Sequence, residues 1–140
     1  MIALVITPLL VIPLVVYNLM ALFGAPAGWM FKALFTITMF SGDQWDVSSG
    51  DVFLALSLML LFIEVTKSTR TDAIAIINHG LSMLIAVVGI IQFVAVPGFA
   101  NSVFFIFVLM MLFDVVAGFT VTIVAAKRDF GSSGGIAGTN

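Results

Sequence analysis

Residues 73–126, AIAIINHGLSMLIAVVGIIQFVAVPGFANSVFFIFVLMMLFDVVAGFTVTIVAA, decide the architecture. Two long apolar runs, 73–96 and 102–126, flank Pro97-Gly98-Phe99-Ala100-Asn101. Each run exceeds the roughly 20 residues a helix needs to cross a hydrocarbon layer of about 30 Å. A connection this short makes the two helices antiparallel neighbours. The ionisable residues placed deepest in them are His79 and Asp114.

The rest of the chain has the same character. Of 140 residues, 62% are hydrophobic and 9% charged, where a soluble domain carries about 25% charged residues. The mean hydropathy is +1.28. A core of this size cannot shield so much apolar surface from water, so lipid must cover the remainder. Five Lys and Arg and a net charge of -2 provide no basic patch for a phosphate backbone, which argues against nucleic acid as a partner. The absence of cysteine excludes disulfides and thiolate chemistry.

Residues 2–23 form a further apolar run. With no basic segment before it and no clear cleavage site beyond Ala25 and Ala27, it reads as a retained transmembrane helix. Pro8 and Pro13 free the carbonyls of Leu4 and Leu9 within it. After Gly24-Ala25-Pro26-Ala27-Gly28, the stretch 29–40 is apolar but reaches only about 18 Å as a helix, so it is expected to lie in the interface plane, with Trp29 and Lys32 at headgroup level. Residues 41–51 are polar, with three Asp and no base. Their spacing does not match a calcium loop, and Ser48, Ser49 or Asp51 is suited to cap the next helix. That helix is expected over 48–67. The fold class is therefore all-α: a polytopic membrane protein with one domain over 1–130, spans near 2–23, 48–67, 73–96 and 102–126, an interfacial helix over 29–40, and a Gly/Ser-rich tail over 131–140. With four spans, Lys67, Arg70, Lys127 and Arg128 share one side and Lys32 takes the other. The excess of bases places both termini in the cytoplasm of a bacterial-type inner membrane.

Ionisable groups inside spans point to function by default, because burying them is costly. Glu64 lies one turn before Lys67 and is expected to reach headgroup water and pair with Lys67 or Arg70. His79 belongs to a stripe of small or polar residues at helical spacing: Asp72, Ala75, His79, Ser82, Ala86, Gly89 and Phe93. Such a stripe lets helices approach closely in lipid. As the only His, His79 is also a candidate ligand for a haem iron or a bacteriochlorophyll magnesium. Asp114 lies roughly 20 Å from Lys127 along the helix, on one face with Gly118 and Thr122. That face is expected to pack on the His79 stripe. If the helix ends are level, Asp114 and His79 differ by roughly 9 Å in depth. Ser57 and the carbonyl freed by Pro13 then lie nearer its level.

No Gly-x-Ser-x-Gly, Walker, His-Glu-x-x-His or CxxC motif occurs, so the residues suggest no enzyme and no metal site. Three functions remain. The first is a non-catalytic integral subunit that packs against and stabilises a larger complex of membrane proteins. The second is a proton- or cation-coupled transporter or channel subunit, a homo-oligomer among its forms, using Asp114 with Ser57 and Thr122. The third is a pigment- or haem-binding subunit using His79.

Overall fold

The structure, a computed structural model, describes residues 7–23, 28–67 and 73–133. Helix α1 spans Val11–Leu22. A 3-10 turn at Trp29–Phe31 leads into strands β1, Ala33–Thr38, and β2, Gln44–Ser48. Helices α2, Ser49–Lys67, α3, Ala73–Ala95, and α4, Ser102–Ser133, complete the chain.

Among the described residues, three helical stretches are long and apolar enough to cross a membrane: Ser49–Lys67, Ile76–Ala95 and Ser102–Val121. The fourth expected span is represented by α1 alone, whose 12 residues reach only about 18 Å; residues 1–6 lie outside the described residues. Pro13 falls in the first turn of α1, where its missing N–H would lack an intrahelical partner in any case. The first turn also tightens, so Ile12 N–H donates to the Leu9 carbonyl at 3.0 Å. Helix α4 continues past Ala126 to Ser133, so the expected tail begins as helix.

The stretch 29–40 is not the interfacial helix expected from its composition. It forms the 3-10 turn and then pairs with residues 44–48 as an antiparallel hairpin. Alternation of Phe35 and Ile37 with Thr36 and Thr38 has the period of a strand, and it continues in Trp45 and Val47 against Gln44 and Asp46. Met39 N–H donates to the Asp43 carbonyl and Gly42 N–H to the Met39 carbonyl, leaving the three-residue loop Phe40-Ser41-Gly42. Its third position requires a left-handed backbone, which Gly42 supplies at φ +91°. Strand β2 passes into α2 through a reciprocal cap. Ser48 Oγ accepts from Asp51 N–H at 3.1 Å, and Asp51 Oδ2 accepts from Ser48 N–H at 2.8 Å.

The most extensive helix contact is between α3 and α4, and α2 also packs on α4. The apolar core lies toward the hairpin end. There Tyr17 meets the rings of Trp29, Phe53, Phe99 and Phe104 at centroid distances of 4.6–5.8 Å. Away from that core, the bundle turns its polar side chains inward and apolar ones outward. Buried positions include Ser57, Glu64, Asn78, His79, Ser82 and Asp114, while Leu56, Phe62, Ile77, Leu84, Phe113 and Val116 are exposed. A water-soluble fold does the reverse, whereas helices in lipid turn apolar side chains outward and polar ones toward each other.

A buried ionisable cluster between the helices

Glu64 occupies the last turns of α2 and is completely buried, at 0% exposure. Three elements converge on its carboxylate. Leu9 N–H donates at 2.8 Å from the chain just before α1; this amide has no intrahelical partner, and the start of a helix attracts negative charge. Asn78 Nδ2 donates from α3. Lys67 pairs with Oε2 at 3.1 Å from one turn along α2, and its ammonium also donates to the Thr7 carbonyl at 3.4 Å. All these groups are donors, the set an anionic carboxylate accepts from. The sequence reading foresaw the bond to Lys67 but not the burial. Helical spacing held the missing signal: Gly50, Phe53, Ser57 and Glu64 fall on one face of α2, and all four are buried.

From Asn78 the polar row continues along α3 to His79 and Ser82. His79 lies against Gly118 of α4: a Cβ added at Gly118 would sit on Nδ1 and 2.6 Å from Cε1. The imidazole thus fills the space that a larger residue would take, and only glycine lets α4 pass so close. The same antiparallel register sets Gly89 against Met111 and Val108, and Phe93 against Phe105 at 5.5 Å. The face of Asp114 and Gly118 therefore packs on the stripe of His79, Ser82, Ala86 and Gly89. The side chains of Ala75 and Thr122 lie outside the described residues.

Asp114 is 2% exposed. Ser82 lies against its carboxyl, and His79, Glu64 and Lys67 are within electrostatic reach. Because His79 packs on Gly118, one turn from Asp114, the two residues differ by about 6 Å along the helices, less than level ends would give. The two groups suggested for Asp114 by depth each make a bond within their own segment. Ser57 Oγ donates to the Phe53 carbonyl of its own helix at 2.7 Å, and the Leu9 carbonyl holds Ile12.

Hydrogen bonding in the cluster is incomplete. Among the described residues, Asn78 Oδ1 and both ring nitrogens of His79 are buried with no hydrogen-bond partner, while the Ser82 hydroxyl reaches the Asp114 carboxyl. Toward the hairpin end the row stops at the buried apolar residues Leu14, Ala86, Phe104, Phe107 and Met111. Beyond them polar groups recur as satisfied pairs. Gln92 Nε2 donates to Asn18 Oδ1 at 2.9 Å, and Asn101 Nδ2 donates to the Tyr17 hydroxyl at 2.7 Å. Among the described residues, no three His, Cys, Asp or Glu side chains converge as metal ligands.

No family model matches this chain, and comparison with curated proteins and with solved structures finds no match.

Proposed function

We propose that this chain is a non-catalytic, multi-pass subunit of a bacterial-type inner membrane, in which Asp114 takes up a proton that arrives along the polar row from the Lys67 side. The observation that carries this reading is the incomplete bonding of the cluster. A contact that served only to hold helices together would gain nothing from stranded atoms, since each buried polar atom without a partner costs about 1–3 kcal/mol. The stranded atoms belong to imidazole and amide groups, which with the Ser82 hydroxyl form a path along which internal water and protons can move. They lie in a row that starts at the Glu64–Lys67 pair and ends at Asp114.

Phe104, Phe107 and Met111 close the opposite half, so in this conformation a proton enters and does not cross. Protonation would then act through the packing of α3 on α4, and through it on neighbouring integral subunits or further copies of the chain. The first run, 2–23, completes four spans, and the distribution of Lys and Arg puts both termini and Lys67 in the cytoplasm.

Infrared difference spectroscopy on the protein in nanodiscs tests the proton reading. A carboxyl band that titrates in the wild type should be missing in Asp114→Asn, which keeps the shape of the side chain and its place in the bundle. Identical difference spectra for the two proteins would remove Asp114 from any relay. The subunit reading is tested separately, by gentle affinity purification from native membranes. Recovery of a free monomer alone would overturn it.

A further inference from the structure

The β1–β2 hairpin has two unlike faces. The register pairs Phe35 with Val47 and Ile37 with Trp45, and it pairs Thr36 with Asp46 and Thr38 with Gln44. Residues directly opposite share a face. One face therefore carries Phe35, Ile37, Trp45 and Val47, and the other Thr36, Thr38, Gln44 and Asp46. The polar face is internally bonded, Thr36 Oγ1 donating to Asp46 Oδ1. The apolar face is covered only at its root, where Val47 is buried. Phe35, Ile37 and Trp45 remain 53%, 40% and 48% exposed. An isolated two-stranded hairpin is marginal in water at best, so this face needs a cover.

We propose that the hairpin lies in the headgroup layer of the bilayer, with Phe35, Ile37 and Trp45 against lipid and Thr36, Gln44 and Asp46 in water. The chain path fixes the root at that boundary. Ser48 passes into α2 without a linker, and α2 is long and apolar enough to cross a membrane. The apolar face also continues into other uncovered side chains at this end, Leu22 and Phe23 at the end of α1 and Phe31 in the 3-10 turn. A Trp at the level of the headgroups is the usual interfacial anchor. Among the described residues each strand pairs only with the other, so the outer edges keep backbone groups without a strand partner. Those groups require hydration and set the depth to the headgroup layer, short of the hydrocarbon. This placement is independent of the proton reading.

Tryptophan quenching tests it. Trp29 and Trp45 are the two tryptophans of the chain, so Trp29→Phe isolates Trp45. In phosphatidylcholine vesicles, Trp45 should be quenched strongly by lipids brominated near the headgroup. Lipids brominated near the chain ends, and aqueous iodide, should quench it weakly. Strong iodide quenching without effect from either bromolipid would place the hairpin in water and overturn the proposal. Strong quenching by the deep bromines would overturn the headgroup depth. Protection from all three quenchers would identify a protein cover, a second copy or another subunit, and would equally overturn it. Should Trp29→Phe fail to fold because Trp29 packs on Tyr17, the difference in quenching between the wild type and Trp45→Phe gives the same reading.

Discussion

Replacing Gly118 by alanine adds one methyl group at the closest approach of α3 and α4. That methyl would lie on Nδ1 of His79, 2.6 Å from Cε1 and 2.8 Å from Cγ. Carbon contacts are comfortable at about 3.5–4.0 Å, so the ring and the α4 backbone must separate by about 1 Å. The imidazole is rigid and wedged between two helices, so it cannot yield as a flexible chain end would. Overpacking of this kind costs about 1–3 kcal/mol. Alanine recovers about 1 kcal/mol through its better helix propensity, leaving a net loss of about 0–2 kcal/mol. The clean comparison is Gly80→Ala, because a Cβ there meets nothing within 4 Å and only the propensity gain applies. Gly118→Ala should therefore fall below Gly80→Ala by about 1–3 kcal/mol in reversible unfolding in mixed micelles. Gly89→Ala should lie between them, since its clash is with the flexible end of Met111. His79→Ala removes the ring, so Gly118→Ala in that background should no longer cost stability. A coupling of about 0.5–3 kcal/mol is expected from the double-mutant cycle. Equal stability of Gly118→Ala and Gly80→Ala, or a coupling of zero, would refute the packing of His79 on Gly118.

Glu64→Leu should destabilise more than Glu64→Gln, because Gln keeps an acceptor for Leu9 N–H while Leu strands that amide and the Asn78 side chain. The expected gap is about 1–3 kcal/mol in the same unfolding measurement, and equal losses would show that the carboxylate is not bonded as described. Orientation is checked by single cysteines in this cysteine-free chain: Asp43→Cys should react with an impermeant thiol reagent from outside intact cells, and Ser68→Cys should not. The opposite labelling would invert the topology.

The sequence alone determined the apolar helices and their order. Length and composition are local quantities, and they located the starts of α3 at Ala73 and α4 at Ser102 and the short turn that makes these helices antiparallel. Helical spacing also identified the contacting faces. The stripe of His79, Ser82, Ala86 and Gly89 meets the face of Asp114 and Gly118 because both were legible as small or polar residues one or two turns apart. The Ser48–Asp51 cap was legible for the same reason, as it involves neighbours in sequence. The hairpin was also within reach of the sequence. Its length and hydrophobicity suggest an interfacial helix, but its period of two and the Ser41-Gly42 loop favour a strand, and the period prevails because pairing with 44–48 satisfies the backbone of both segments.

Only the tertiary structure decided which polar groups meet. Glu64 is one turn from the end of α2, a place from which a long side chain ordinarily reaches headgroup water. It turns inward because the chain before α1 presents the unpaired Leu9 N–H and α3 presents Asn78 at its level, and neither position follows from the sequence of α2. Ser57 and the Leu9 carbonyl each bond within their own segment, to Phe53 and Ile12, contacts that depth along a helix does not reveal. His79 and Asp114 came within reach because α3 and α4 pack with His79 against Gly118, an offset at which the ends of the two apolar runs are not level. Periodicity fixes the face of a helix on which a residue lies, but the axial offset between helices decides what that residue touches, and the offset is set by the packing of all the helices together.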